Sequence, residues 1–490
     1  MPNRRCRALI LLSCFAILAF GLGPGTCLAA SMEDSLNIQG VWAGNLKVSG
    51  ASLKVIFKIT LQTDGSYKAT LDVPDQGASK IPVTEVTLKD STLVLKVDSI
   101  RASYTGTIRA DDQIIEGDWK QGGFSFPLVL KKDPAALEVN RPQEPKKPYP
   151  YKEEEVVFQN QKAGIRLAGT LTLPEKEGRA AAVVLISGSG PQDRDETVFN
   201  HRPFWIIADY LTRRNIAVLR FDDRGVGGSG GDNLKGTSRD FADDVMAAVD
   251  YLKARKEIDP NKIGLIGHSE GALIAGFAAA ERPDISFMVL MAGPGVVGEE
   301  LLYLQSSAIR AATGLNEKDV AQEQKVREKI FRIIIEEEDR AAARKKIREI
   351  LLDLMAKTAD KLEGTQKKEA MAAIEKNVEA QLEQLLAPWL RFFLSHDPGP
   401  TLMRVTCPIL AITGEKDLQV PPKENLAAIK RALKKAEHPD FTIMELPGLN
   451  HLFQTAETGL ISEYGKIEET FSPAALKIIG DWITDRTSAR

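Results

Sequence analysis

The chain has 490 residues, about three times a typical single domain, so more than one folding unit is expected. An apolar fraction of 43% and a charged fraction of 27% are ordinary globular values, and they exclude a collagen-like, wholly disordered or polytopic membrane protein. With 64 Lys and Arg against 67 Asp and Glu, the net charge of −3 argues against a nucleic-acid binder that gains affinity by neutralising phosphates.

At the start of the chain, Arg4, Arg5 and Arg7 precede an apolar run from Ala8 to Gly23, followed by Pro24, Gly25 and the small residues Ala29 and Ala30. This is the pattern of an export signal over residues 1–30, cleaved near Ala29 or Ala30, and it implies a periplasmic or secreted protein. The apolar run is short of the ~20 residues a membrane-spanning helix needs. Pro24-Gly25-Thr26 before Cys27 lacks the aliphatic residue of a lipoprotein signal. Cys6, Cys14 and Cys27 leave with the signal, so the mature chain keeps Cys407 alone and can form no internal disulfide. Placed before Pro408 at the head of an apolar strand, Cys407 reads as a core residue and not as a nucleophile.

Over residues 31–132 the apolar positions recur with period two, as at Leu53, Val55, Phe57 and Ile59, and turn signals such as Thr63-Asp64-Gly65 divide short strands. This predicts an antiparallel β domain with Trp42 and Trp119 on its core. Pro134, Pro142, Pro145, Pro148 and Pro150 mark an extended linker over 133–152. Beyond it, continuous apolar runs at 183–186, 217–221, 263–266, 288–291, 409–412 and 443–446 alternate with helical stretches such as 204–214 and 241–255. That alternation predicts a parallel sheet covered on both faces. The α/β core occupies 153–297 and 401–490. Between these parts, 298–400 is rich in Ala, Glu, Lys and Arg, with Ile347, Leu351, Leu354, Ile374, Val378 and Leu385 at helical spacing, and it is predicted to be a helical insertion. An insertion at that point overhangs the carboxyl ends of the strands, where ligands bind in open α/β sheets.

The strand ending in Gly264-Leu265-Ile266 runs into Gly267-His268-Ser269-Glu270-Gly271 and then into a helix-forming stretch. A sharp strand-to-helix turn of this kind lifts a serine hydroxyl clear of the sheet, which makes Ser269 a candidate nucleophile. A second match, Gly227-Gly228-Ser229-Gly230-Gly231, continues into residues that cannot start a helix, so Ser229 is set aside. Serine needs a base to take its proton and a carboxylate to fix that base. Of the five histidines, His451 alone follows a late strand at the carboxyl end of the sheet. His268 lies inside the turn, His396 and His438 precede strands, and His201 enters the first helix. Asp417, in the loop after the strand at 409–412, is the preferred carboxylate, with Glu415 second. The backbone N–H of Glu270 at the helix start is one donor for an oxyanion. The glycine-rich run Gly225 to Gly231 lacks the following helix of a phosphate loop, so no cofactor or metal is expected.

Five segments, SGSG at Ser187, DDRGVGGSG at Asp222, GHSEG at Gly267, GEKDLQVPP at Gly414 and GLNH at Gly448, together resemble the α/β-hydrolase superfamily over about 155–490. The run GSGPQDRDE with DDRGVGGSG is similar to a bacterial exported carboxylesterase and serine-aminopeptidase-like branch, whose members sometimes carry an N-terminal β domain. The resemblance implies an α/β-hydrolase fold with a helical cap that selects substrate, a structural role for Asp222 to Ser229, and a second oxyanion donor in the Ser189 N–H. Many members have His-Gly where this chain has Ser187-Gly188.

The expectation is an exported serine hydrolase that cleaves carboxylic esters through an acyl-enzyme, with Ser269, His451 and Asp417 as triad and a small-molecule ester or short peptide as substrate. The alternatives are a serine peptidase or aminopeptidase, with the Glu270 carboxylate reading a substrate amine, and a thioesterase. From another class, the β domain could recognise an envelope glycan or lipid beside an inert hydrolase fold.

Overall fold

The computed structural model describes residues 38–488, apart from 49–50, 77, 110–112, 122–123, 134–139, 315–316 and 360–363. The expected export signal lies outside the described residues. Among the described residues no helix is long and apolar enough to cross a membrane. The described residues divide into two compact units, one holding those up to Asn140 together with those within Ala359–Ala373, the other those within Arg141–Thr358 and from Ile374 onward.

The first unit is a nine-stranded antiparallel sheet: β1 (Gly40–Val48), β2 (Ala51–Leu61), β3 (Tyr67–Val73), β4 (Ala78–Val83), β5 (Glu85–Lys89), β6 (Thr92–Val97), β7 (Ala102–Arg109), β8 (Ile114–Gln121) and β9 (Phe124–Lys132). Its order is β4-β3-β2-β1-β9-β8-β7-β6-β5, so the first and last strands pair in the middle. The two edge strands are consecutive in the chain, joined through Thr84, which curls the sheet toward closure. Alternate residues point inward, and β7 shows this cleanly, burying Ala102, Tyr104 and Ile108. Trp42, Phe57, Tyr104 and Trp119 fill the interior. The aromatic polar ends are satisfied there: Trp42 Nε1 donates to the Ile38 carbonyl at 2.8 Å, and the Tyr104 hydroxyl lies 3.0 and 3.1 Å from the carbonyls of Ile115 and Leu128.

The second unit has eight strands, β10 (Tyr151–Asn160), β11 (Ile165–Pro174), β12 (Ala180–Ile186), β13 (Ile216–Phe221), β14 (Ile258–His268), β15 (Phe287–Met291), β16 (Ile409–Gly414) and β17 (Phe441–Leu446), in the order β10-β11-β13-β12-β14-β15-β16-β17. The hairpin of β10 and β11 is antiparallel, β11 runs antiparallel to β13, and from β13 onward all neighbours are parallel. The central strands are apolar throughout because both faces are covered. Ala182, Val184 and Leu265 point into one core, while Val183, Leu185 and Ile266 point into the other. The first core is closed by helix α2 (Ser238–Lys253) and helix α3 (Glu270–Glu281). The second is closed by α1 (Pro203–Thr212) and by the C-terminal helix α12 (Pro473–Thr487). The strand order switches sides at β12, with β13 next to it on one side and β14 on the other, and in open α/β sheets such a switch point at the carboxyl ends is where ligands bind.

Between β15 and β16 lie α4 (Gly298–Thr313), α5 (Glu317–Glu336), α6 (Arg340–Ala359), α7 (Gly364–Leu385), α8 (Pro388–Ser395) and α9 (Pro398–Leu402). Ile347 and Leu351 of α6 and Val378 and Leu382 of α7 are fully buried. Arg344 and Arg348 reach Glu383 at 2.6 Å and Glu379 at 2.9 Å across the two helices. The remaining helices, α10 (Pro422–Lys435) and α11 (Ile461–Tyr464), flank β17 in sequence.

The segment before β10 is fastened to the second unit. The Arg141 guanidinium donates to the carbonyls of Phe199, Asn200, Gly465 and Ile467 at 2.9 to 3.2 Å. Nearby, His201 is buried, with Nδ1 2.9 Å from Thr470 Oγ1 and Nε2 2.9 Å from the Tyr464 carbonyl. Burial, reinforced by the Arg141 charge, pulls the His201 imidazole down to about 4. The folded state therefore keeps this ring neutral while the unfolded chain protonates it near 6.5, so stability is lost as pH falls from about 6.5 to 4. In urea titrations across that window, His201→Gln is expected to flatten the acid slope by up to about 3 kcal/mol. A variant slope equal to that of the native chain would show the ring to be charged when folded.

Candidate active site

The turn between β14 and α3 holds Ser269 at φ 55° and ψ −121°, a left-handed conformation that costs a residue with a side chain of order 1–3 kcal/mol. The surroundings enforce it. A methyl group on Gly271 would lie 2.1 Å from the Ile186 carbonyl oxygen, and one on Gly267 would lie 2.1 Å from the Gly271 carbonyl oxygen. Only glycine lets α3 start this close to β12. The Ser269 amide donates to the Met291 carbonyl at 2.8 Å. On its other side Gly188 lies so close that an added methyl would meet Ser269 Cβ at 3.3 Å.

Asp417 and His451 come together in the loops after β16 and β17. His451 Nδ1 and Asp417 Oδ2 are 2.8 Å apart, and both residues are buried. The other carboxylate oxygen accepts the amides of Gln419 and Val420, each at 2.8 Å, so the carboxylate is fixed on both sides. The turn carrying His451 is held by the buried Asn450, whose Oδ1 accepts the amides of Leu452 and Gln454 at 3.0 Å. Glu415, the second candidate, is exposed and accepts the Gly448 amide at 2.8 Å, away from the imidazole.

Ser189 sits in the loop after β12. The Gly188 amide is already engaged by Glu196 Oε1 at 2.8 Å, so the Ser189 amide is the next donor along that loop. Opposite it, the Glu270 amide is the first of α3, where a helix has no internal acceptor for its N–H groups. The Glu270 side chain turns away from solvent. Its Oε1 accepts Ser238 Oγ and Trp389 Nε1, both at 2.6 Å, and the Ser189 side chain also bonds to it. Burial raises its pKa above the usual carboxylate range, with no cation bonded to it. Trp389 belongs to α8, so the helical insertion is bonded to the residue beside Ser269.

Ser187, where the resembling proteins carry histidine, donates to Asp223 Oδ1 at 2.8 Å, while Oδ2 accepts the Gln192 amide at 2.9 Å. Burial, with Glu270 and Glu196 close by, pushes Asp223 up to about 8. Ser229 is structural: its hydroxyl donates to the Asp222 carbonyl at 2.7 Å and accepts the Ala168 amide at 2.9 Å. Asp222 pairs with Arg194, whose Nη2 is 2.8 Å away. Cys407 is buried, and burial pushes its thiol up to about 12, so it is no thiolate at neutral pH.

His268 and Glu196 have a larger part than the sequence suggested. His268 does point away from Ser269, but its ring packs 4.8 Å from that of His451, its Nδ1 is 2.9 Å from Glu196 Oε1 and its Nε2 is 2.9 Å from the His451 carbonyl. Burial opposes a charge on this imidazole, yet Glu196 and the two hydrogen bonds outweigh burial and raise its pKa. The run GSGPQDRDE supplies Glu196, and only the folded loop shows which of its three acidic side chains faces His268.

Residues 204–457, a little over half of the chain, match the family model described as Serine aminopeptidase, S33 (Hydrolase_4). The chain belongs to this family. Among curated relatives, Esterase EstD of Thermotoga maritima is 34% identical over 145 residues, which is 29% of this chain and 34% of that protein. The uncharacterized protein YfhR of Escherichia coli K12 is 30% identical over 149 residues, covering 29% of this chain and 48% of its own. The chain thus spans about a third to a half of the length of these relatives. A solved Pyrococcus furiosus esterase, Pf2001, aligns over 72% of this chain and 99% of its own, at 16% identity and a TM-score of 0.42, a likeness too loose to argue from. With the family established, the second unit is an α/β-hydrolase fold, preceded in the chain by a separate antiparallel β unit.

The crowding at the turn makes a sharp prediction. Gly271→Ala should destabilise the protein by about 3 kcal/mol or more, because the methyl meets backbone that cannot move aside. Gly276→Ala on the same helix meets only Thr401 Cγ2 at 3.7 Å, and it should be neutral or stabilising by up to about 1 kcal/mol. Urea midpoints of the two variants check the contrast, and equal midpoints would refute it.

Proposed function

We propose that the protein is an exported serine hydrolase that cleaves carboxylic esters. The observation that carries this reading is the Asp417–His451 hydrogen bond of 2.8 Å, formed at the same edge of the sheet as the strained Ser269 turn. Ser269 Oγ attacks the ester carbonyl carbon and its proton passes to His451 Nε2. Asp417 holds Nδ1–H and stabilises the imidazolium. The carbonyl oxygen becomes an oxyanion, accepted by the amides of Ser189 and Glu270. The C–O bond to the alcohol then breaks, the alcohol leaves with the proton from His451, and the acyl group remains on Ser269. Water, deprotonated by His451, attacks the acyl-enzyme, and collapse of the second intermediate returns the proton to Ser269 and releases the acid. Export rests on the sequence of residues 1–30 and is tested by N-terminal sequencing of protein recovered from outside the cytoplasm.

An ester is preferred over a peptide because of Glu270. A substrate amine needs an open carboxylate, whereas Glu270 is 1% exposed and occupied by Ser238, Ser189 and Trp389. The relative named as an esterase supports the same choice.

On a panel of nitrophenyl esters, thioesters and aminoacyl nitroanilides, kcat/KM should be highest for short esters, and Ser269→Ala should abolish turnover and labelling by a fluorophosphonate. Faster cleavage of aminoacyl nitroanilides would replace the ester reading with a peptidase, and zero across the panel would end the hydrolase reading. Asp417→Asn is expected to lower kcat by roughly 10³- to 10⁴-fold with the fold intact, whereas Glu415→Gln should stay within about twofold.

A further inference from the structure

Three segments must stay in register for the reaction proposed above: the loop after β12, the Ser269 turn, and the loop after β17 that carries His451. One pair of buried side chains touches all three. Glu196 Oε1 accepts the Gly188 amide at 2.8 Å and faces His268 Nδ1 at 2.9 Å. His268 Nε2 faces the His451 carbonyl oxygen at 2.9 Å. Glu196 is 4% exposed and His268 5%, so water does not substitute for these contacts.

A carbonyl can only accept, and an ionised carboxylate can only accept, so a ring bonded to both donates from both nitrogens. Buried together, each of the two side chains depends on the other as its polar partner. The backbone supports the same assignment. Glu196 is held at φ 51°, a conformation disfavoured for any residue with a Cβ, and its carboxylate is the part that gains two donors from that placement.

We infer that Glu196 and His268 are positioning residues for the hydrolysis that act as one unit: Glu196, anchored to the Gly188 amide of the oxyanion loop, fixes the His268 ring, and His268 fixes the general base through the His451 carbonyl. This rests on the serine-hydrolase reading. Asp417 fixes the His451 ring at one nitrogen, and a ring pinned at one atom can still swing. The His268 bond to the backbone of the same residue supplies the second fixed point. A displacement of about 1 Å at a reacting group costs on the order of 100-fold in rate, and that is the scale on which this pair acts.

The test compares kcat and KM for a short nitrophenyl ester in the full chain, Glu196→Gln, His268→Gln and the double variant, with urea midpoints as a check on folding. Each single change should lower kcat by about 10- to 100-fold, with KM within about threefold. The double change should be no more than about threefold worse than the poorer single, because the two side chains form one connected path. An independent arm uses ¹⁵N-histidine-labelled protein carrying Ser269→Ala, in which no turnover is needed. There, the His268 nitrogens should both be protonated at pH 7, and Glu196→Gln should move the His451 ring resonances. Single variants within twofold in kcat, losses that simply multiply, or His451 resonances that stay fixed would each overturn the inference. If the native chain cleaves no ester but the His451 resonances move, the serine-hydrolase reading fails and the positioning contact stands. Should Glu196→Gln prove insoluble, His268→Gln carries both arms, because it leaves the Glu196 bond to Gly188 in place.

Discussion

Helix α3 meets the sheet where Gly271 passes under the carbonyl oxygens of Ile186 and Ser187, at separations no side chain would allow. The chemistry of the second unit is built on that approach. It forces Ser269 into its left-handed turn, brings the unsatisfied first amide of α3 beside the loop after β12, and leaves the serine against Gly188. Because β12, β14, β16 and β17 are all parallel, the loops carrying Ser189, Ser269, Asp417 and His451 leave the sheet at one edge. The site is therefore a consequence of strand direction and of two glycines. The helices on either face contribute by making the sheet rigid, through two apolar cores that bury alternate residues of the same strands.

Much of this was legible in the sequence, for identifiable physical reasons. Central strands covered on both faces are apolar at nearly every position, so the runs at 183–186, 217–221 and 288–291 stand out, Arg220 being the one charged residue among them. The hairpin of β10 and β11 does not stand out by that criterion, because β10 alternates polar and apolar residues as a half-exposed edge strand does. Likewise β14 extends back to Ile258 through Asp259, Pro260, Asn261 and Lys262, three polar residues and a proline at the start of the strand that no hydrophobic pattern reveals. Helix α2 starts at Ser238, three residues before its first apolar position was expected, because Thr237 and Asp240 form a reciprocal cap. At the site, motif and strand order single out Ser269, Asp417 and His451. The partners of Glu196, Glu270 and Asp223 depend on contacts between segments tens of residues apart, and no local pattern encodes them.

The buried carboxyls around the site are handled in different ways. Asp222 is neutralised by the fork of Arg194, and burial alone would have raised its pKa, which instead is lowered. Glu196 is matched by an imidazole, Asp417 by an imidazole and two amides. Glu270 receives only neutral donors, and Asp223 only a hydroxyl and an amide, so burial lifts both. The carboxyl beside the amides of Ser189 and Glu270 is thus one whose charged form burial disfavours. An anion next to those amides would oppose an oxyanion, and the upward shift that burial imposes on Glu270 lessens that opposition.

The Arg141 clamp joins residues 324 and 326 positions apart in the chain, at Gly465 and Ile467. The nine-stranded sheet, by contrast, is complete once β9 ends at Lys132, since each of its pairings lies within residues 40–132. During synthesis this sheet can therefore finish pairing before the strands of the second unit are made. The second unit must hold its opening strands without their last partners until α12 has been made. Contacts of such long sequence separation make folding slow, and the apolar strands β12 and β14 stay uncovered by α12 for that whole interval. For this chain, the order in which segments become available separates an early sheet that pairs within itself from a late one that waits for α12.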